Sequence, residues 1–371
     1  MVINSVLKKA ERLVSLDFFR GLVIVLMILV NNVWGDTYPP LQHASWNGWT
    51  FADTVFPFFL WIIGVAMVFS FTKRINGRHS KKELFLHILK RSLILFAFGF
   101  FLNLFPYFDF AAVRIPGVLQ LIAITYFFAG VIFLYTRPKW QVVLTVFILL
   151  ASALMIKFVP VPGYGSGVLE PERNLAHYID GLLLKGHMWE QTKGWDPEGL
   201  FSTFSAISTV LLGVLMGHLL ISKRNKIQKA GLMALSGIVF MMAGYVINIW
   251  LPINKNLWTS SFSIFMAGLA SVIFSVSYWL IDIKGCKKWS FPFVICGLNA
   301  IALYMFSSIV SRLLLLIKVN GGTTLYFVIY KNLYLQIAAP IIASLLFAFT
   351  HVLIIFLAAY VMYKNKLFLK I

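Results

Sequence analysis

Residues 51–72 read FADTVFPFFLWIIGVAMVFSFT, with one acid near the start and no other charge, and the basic segment KRINGRHSKK follows at 73–82. At about 1.5 Å per residue, a helix of this length covers roughly 30 Å, the thickness of a bilayer's hydrocarbon. A cation cluster directly after such a run marks the side on which the chain leaves the membrane. Comparable runs lie at 16–34, 84–105, 114–135, 140–158, 198–221, 230–251, 257–281, 290–315 and 337–363. Only 12% of the 371 residues are charged and 60% are hydrophobic. The sequence therefore predicts an all-α fold, a polytopic integral membrane helix bundle of about ten transmembrane helices forming one domain over 1–371.

Charge in the loops gives the orientation. Twenty Lys and Arg residues fall in alternate loops, from Lys8, Lys9 and Arg12 before the first run to Lys364, Lys366 and Lys370 after the last. Seven fall in the other set: Arg114, Arg173, Lys185, Lys193, Lys255, Lys318 and Lys331. The positive-inside rule then predicts both termini in the cytoplasm and a multi-pass protein of the cell's inner membrane. The net charge of +19 reads as this topology signal, so no nucleic acid partner is expected. The first run lacks a small-x-small cleavage site, and Asp17 and Arg20 interrupt its entry, which predicts a retained helix rather than a signal peptide. The loop at 35–50 and the long segment 159–197 are expected on the extracytoplasmic face. Cys286 and Cys296 are too far apart along the chain to predict a disulfide. The GVLMG pattern at 213–217 predicts close helix packing, with a homodimer seam as the alternative.

Polar groups at membrane depth are costly and tend to be functional. Asp17 and Arg20 share a helix face, either as an anchoring ion pair or with the guanidinium reading a phosphate or carbonyl oxygen. Asn31 lies about 16 Å along the helix from Arg20, close to the length of an extended pantetheine arm, and Asn32 follows it. His43 precedes Asp53 by ten residues. The residues alone allow a general base oriented by a carboxylate, or an interfacial histidine beside the anchors Trp46 and Trp49. Arg114, Gln120 and Asn299 are further polar groups at or inside spans, and snorkelling or interhelical bonding accounts for them equally well. No histidine pair has metal-ligand spacing, so no metal is expected.

Several segments together carry a resemblance: RLVSLDFFRGLVIVLMILVNN, HASWNGWTFADTVFPFFLWIIGVAM, RIPGVLQLIAITYF, DPEGLFST and NKNLWTSSF, with a weaker match at GLNAIALYMF. The chain resembles the heparan-alpha-glucosaminide N-acetyltransferase family, and its LDxxRG first helix looks like that of a wider set of membrane acyltransferases. The resemblance implies transfer of an acetyl group from acetyl-CoA to the amine of a glucosamine-type sugar across a bilayer. It implies that His43 is the active histidine, with Asn31 as its partner, although the VNN sequence makes Asn32 a second candidate. Asp53 is expected to orient His43. Asp17, Arg20, Arg114, Gln120 and Asn299 are expected to bind the donor, and Trp46, Asn47, Asp180 and Glu198 the acceptor sugar. Direct transfer and an acetyl-histidine intermediate both remain open. The competing reading is a transporter or flippase of a sugar or lipid-linked sugar.

Overall fold

The computed structural model describes residues 13–369, apart from 193 and 320. Lys8, Lys9, Arg12, Lys193 and Lys370, which enter the charge count, lie outside the described residues. Nine of the described helices are long and apolar enough to span a bilayer. They are α1 (Val14–Asn31), α2 (Phe51–Asn76), α3 (Lys81–Leu104), α4 (Val118–Tyr135), α5 (Pro138–Phe158), α7 (Leu200–Ile221), α8 (Lys226–Ile247), α9 (Ser260–Tyr278, continued by a π turn to Ile283) and α13 (Pro340–Lys364). A short helix α6 (Leu175–Leu183) lies in the long segment before α7.

The expected continuous span at 290–315 is corrected. It is two helices, α10 (Phe291–Leu298) and α11 (Ala300–Leu316), bent by 83° at Asn299. The reason lies in the Asn299 side chain. Its Nδ2 donates to the Leu367 carbonyl at 2.9 Å and its Oδ1 accepts from the Leu369 N–H at 2.9 Å. An amide held by a distant backbone segment lets the helix break without losing polar partners. A short helix α12 (Leu325–Ile329) then leads towards α13.

Helices α2 and α7 form the centre, with 78% and 72% of their apolar windows buried, against 22% for α8. Their contact requires glycine. A Cβ on Gly213 would stand 2.1 Å from the Trp61 carbonyl oxygen, and one on Gly64 would stand 2.0 Å from that of Val210. The GVLMG pattern thus serves packing within the bundle, as the sequence predicts. A second close crossing joins α1 to α10, where a Cβ on Gly21 would meet Phe293 O at 1.7 Å and one on Gly297 would meet Asp17 O at 2.0 Å. Cys286 and Cys296 are both free thiols.

These crossings set two functional ends. At one end, the loops after α1, α3, α5 and α8 meet through contacts described below. At the other, the Asp282 carboxylate accepts the Val14 and Ser15 N–H groups at 3.2 and 3.0 Å. It thereby caps the positive start of α1 with a negative charge.

Candidate active site

The HASWNG loop is built around one buried carboxylate. Thr50 and Asp53 form a capping box at the start of α2, which fixes Asp53 in the first turn. Asp53 Oδ2 accepts the Ala44 and Thr50 N–H groups, each at 3.0 Å, and so folds the loop back over the helix. Its Oδ1 lies 2.7 Å from His43 Nδ1. Asp53 is 1% exposed, whereas the His43 side chain is 51% exposed. A charged carboxylate that accepts the Nδ1 proton leaves Nε2 as the basic nitrogen, facing outward.

The loop after α8, with the sequence NKNLW, docks on the HASWNG loop. Gly48 N–H donates to Ile253 O at 2.7 Å, and Asn254 Nδ2 donates to Asn47 Oδ1 at 3.1 Å. This docking places Lys255 Nζ 3.3 Å from Asp53 Oδ1, 3.1 Å from His43 Nδ1 and 3.5 Å from Nε2. Lys255 and Asn254 escaped the sequence reading because they lie some 210 residues from His43 and Asn47 along the chain. Their only signal was their place in a shared motif. Trp46 Nε1 donates to Leu169 O at 2.8 Å, and its ring meets Trp195 edge-on at 5.1 Å. Trp46 and Asn47 are therefore beside His43 and tied to two neighbouring loops.

Arg114 stands at the same end. Its Nε and Nη2 grip both oxygens of buried Asp196, at 2.7 and 2.5 Å, and Nη2 also bonds Glu198. Burial works against the Arg114 charge, but the two carboxylates outweigh it and hold the guanidinium firmly protonated. Asp180 is fully buried and accepts the Leu200 and Asp196 N–H groups at 2.9 and 3.3 Å. Burial lifts its carboxyl to about 7 despite those two bonds. Asp180 thus organises the start of α7 and is not presented to a ligand. Asp196, two residues from Glu198, was legible as part of DPEG but not as the partner of Arg114. Glu198 is within electrostatic reach of both Lys255 and Tyr304, which links this cluster to the next cavity.

The two asparagines ending α1 separate cleanly. Asn32 Nδ2 donates to Ile28 O at 2.7 Å, and its Oδ1 accepts from Ser311 at 2.7 Å, so its amide is committed to structure. Asn31 is exposed and lines a cavity of about 170 Å³ with Tyr304, Ser307, Ser308, Ser311 and Arg312. No hydrogen bond among the described residues joins Asn31 to His43.

A larger cavity, about 280 Å³, lies further along α1 and α11 towards the other end. Arg20, Arg91, Tyr126 and the broken-helix residues Leu298, Asn299 and Ala300 line it. Arg20 Nη1 reaches Asp17 Oδ1 and Gly297 O, each at 3.4 Å. The Arg91 guanidinium lies over the Tyr126 ring at 4.7 Å, and its buried Nε has no hydrogen-bond partner. Of the residues expected along the donor path, Arg20 and Asn299 line this cavity. Asp17 stands behind Arg20. Gln120 packs against Gly99 and Gly117, and Arg114 is held at the opposite end. Arg91 was missed although an arginine inside the 84–105 run is itself a signal.

No cluster of three or more metal-ligating side chains occurs among the described residues. The sequence model described as heparan-alpha-glucosaminide N-acetyltransferase, catalytic, matches residues 12–251, which include His43, Asp53, Arg114 and Glu198. The mouse and human heparan-alpha-glucosaminide N-acetyltransferases are each 31% identical to the chain, over 350 and 348 residues. Those alignments cover 80% and 79% of this chain but 53% and 52% of the relatives, so the chain spans about half their length. With a catalytic-region match over most of its length and nine membrane-length helices among the described residues, the chain belongs to the heparan-alpha-glucosaminide N-acetyltransferase family.

Proposed function

We propose that the chain transfers an acetyl group from acetyl-CoA to the amine of a glucosamine-type sugar, with the two substrates approaching from opposite faces of the inner membrane. The observation that carries this reading is the 2.7 Å contact between buried Asp53 and His43, which leaves Nε2 as the base. The donor's phosphates pair with Arg20 and Arg91 in the larger cavity, and its pantetheine arm follows α1 towards Asn31. Asn31 donates to the thioester carbonyl as charge develops on the oxygen. Asn32 is the weaker choice, since its amide is already bonded at both atoms.

At the His43 end, Trp46 and Asn47 contact the sugar, and Glu198 accepts a hydrogen bond from its neutral amine. Asp180 acts indirectly by holding the backbone of Asp196 and Leu200, on either side of Glu198. In direct transfer, His43 Nε2 takes a proton from the amine as its nitrogen bonds the carbonyl carbon. The C–S bond breaks and the leaving thiolate of CoA takes up that proton. In the two-step form, Nε2 attacks the thioester carbonyl, the C–S bond breaks and CoA leaves as its thiolate; the amine then takes the acetyl group from Nε2, and the proton it loses neutralises that thiolate.

The test is thiol release by detergent-purified protein with acetyl-CoA and a panel of amino sugars. Acceptor-dependent release that disappears in His43→Ala supports the reading, and undiminished release in that variant defeats it. Trapping labelled acetyl on His43 without acceptor selects the two-step form. One observation favours a transporter, namely the span broken at Asn299. Transporters built on inverted repeats pair two such breaks, and the described residues hold one. Sugar uptake into vesicles without thiol release selects the transporter instead.

A further inference from the structure

Lys255 has no assigned role, yet it is the cation closest to the proposed base. Its Nζ lies 3.1 Å from Nδ1 and 3.5 Å from Nε2 of His43. Nδ1 is already engaged with Asp53 Oδ1 at 2.7 Å. One ring nitrogen cannot donate to Asp53 and accept from Lys255 in the same state. The ammonium therefore forms an ion pair with Asp53 Oδ1, 3.3 Å away, and of the two ring nitrogens only Nε2, at the longer distance of 3.5 Å, can accept from it. It is held there from its own loop, since Asn254 next to it is bonded to Asn47 and to the Leu257 N–H.

The charges around His43 come from three elements. Asp53 on α2 attracts a proton to the ring, and Lys255 on the loop after α8 repels it. Glu198, before α7, reaches Lys255 electrostatically. A histidine alone with a buried carboxylate is drawn towards imidazolium, which has no lone pair for attack or for proton removal. A cation sharing that carboxylate cancels the pull.

We propose that Lys255 is a positioning residue for His43: its ammonium shares the Asp53 carboxylate and opposes protonation of the imidazole, keeping Nε2 available. This rests on the reading of His43 as the reactive group, but it is testable without turnover. The probe is diethyl pyrocarbonate, which acylates only the neutral imidazole, applied to the full chain in detergent. The His43 peptide is quantified by mass spectrometry, and His43→Asn serves as the blank. For Lys255→Met, the acylation rate at pH 7 falls at least fivefold and returns to the wild-type rate at higher pH. Lys255→Arg keeps the charge and stays within about twofold of wild type across that pH range.

A Lys255→Met rate equal to wild type at pH 7 overturns the proposal. So does a slow rate that high pH does not restore, because that outcome reports a displaced ring rather than a charged one. Loss of thiol release in Lys255→Met with normal acylation also overturns it. Should His43→Ala retain transferase activity, the proposed function fails while the acylation profile still decides the role of Lys255.

Discussion

Arg114 grips Asp196 through two parallel bonds, Nε to Oδ2 at 2.7 Å and Nη2 to Oδ1 at 2.5 Å. The pair joins the loop after α3 to the segment before α7, and Asp196 has essentially no access to water. Removing the cation strands a buried carboxylate, which is strongly destabilising, whereas the intact pair contributes far less. Arg114→Met is expected to lose about 3–5 kcal/mol, read as a lower melting temperature in detergent. Because Arg114 does not line the larger cavity, the KM for acetyl-CoA measured on surviving folded protein stays within about twofold of wild type.

Asp53→Asn tests the carboxylate proposed to orient the base. The substituted amide offers His43 either a donor, which reverses the ring's tautomer, or a neutral acceptor with no pull on Nδ1–H. General-base catalysis is worth about 10²- to 10⁴-fold, so kcat is expected to fall by that order in the thiol-release assay. The KM for acetyl-CoA changes little, since Asp53 is remote from Arg20 and Arg91. A fall in KM alone contradicts the assignment.

Arg91→Met removes a cation from the cavity while retaining an apolar side chain against Tyr126. The expected result is a rise of about tenfold or more in KM for acetyl-CoA, equivalent to the roughly 1.4 kcal/mol of one charge-assisted contact. Acceptor KM is unaffected. If des-phospho donor analogues show the same ratio between wild type and variant as acetyl-CoA does, Arg91 does not read phosphate.

Asp180 gives a pH dependence with a definite sign. Its folded carboxyl titrates at about 7 against 3.8 for the ordinary group, so the folded state holds more protons in between. Its contribution to stability is fully present below about pH 3.8 and is lost as pH rises through about 7. The melting temperature of the wild type should therefore fall between pH 5 and pH 8. Asp180→Asn, with nothing to titrate there, is expected to flatten that fall, as followed by intrinsic tryptophan fluorescence.

Gly213→Ala should prevent α2 and α7 from meeting, because its Cβ would lie 2.1 Å from a backbone oxygen that cannot move away. A loss of about 3 kcal/mol or failure to accumulate is expected. Gly231→Ala on α8 has open space around its Cβ and is expected to gain about 0.5–1 kcal/mol from helix propensity. Thermal melts of the two variants side by side separate packing from propensity.

The helical membrane architecture was legible because a span must be long and apolar wherever it lies, and residues 51–72 alone satisfy that rule. The ten-residue spacing from His43 to Asp53 allowed their contact as one of two readings, and the capping box at Thr50, which decides it by holding Asp53 at the mouth of α2, shows only in the fold. The break at Asn299 was hidden, since the apolar character of 290–315 runs through it and its cause is a backbone segment seventy residues later. Lys255 was counted as a loop charge, and nothing local distinguishes it from the others. The enclosure of Asp180 and the locking of Arg114 likewise depend on partners brought together only by folding. Arg91 is the exception, for a cation inside an apolar run is visible without any structure.

The cavity holding Arg20 is walled at one point by α1 and at another by Leu369. A ribosome lays down Leu369 some 350 residues after Arg20. Until Leu367 and Leu369 are made, Asn299 has neither of the backbone partners that hold the bend. Until then the chain also lacks one wall of the cavity that holds Arg20.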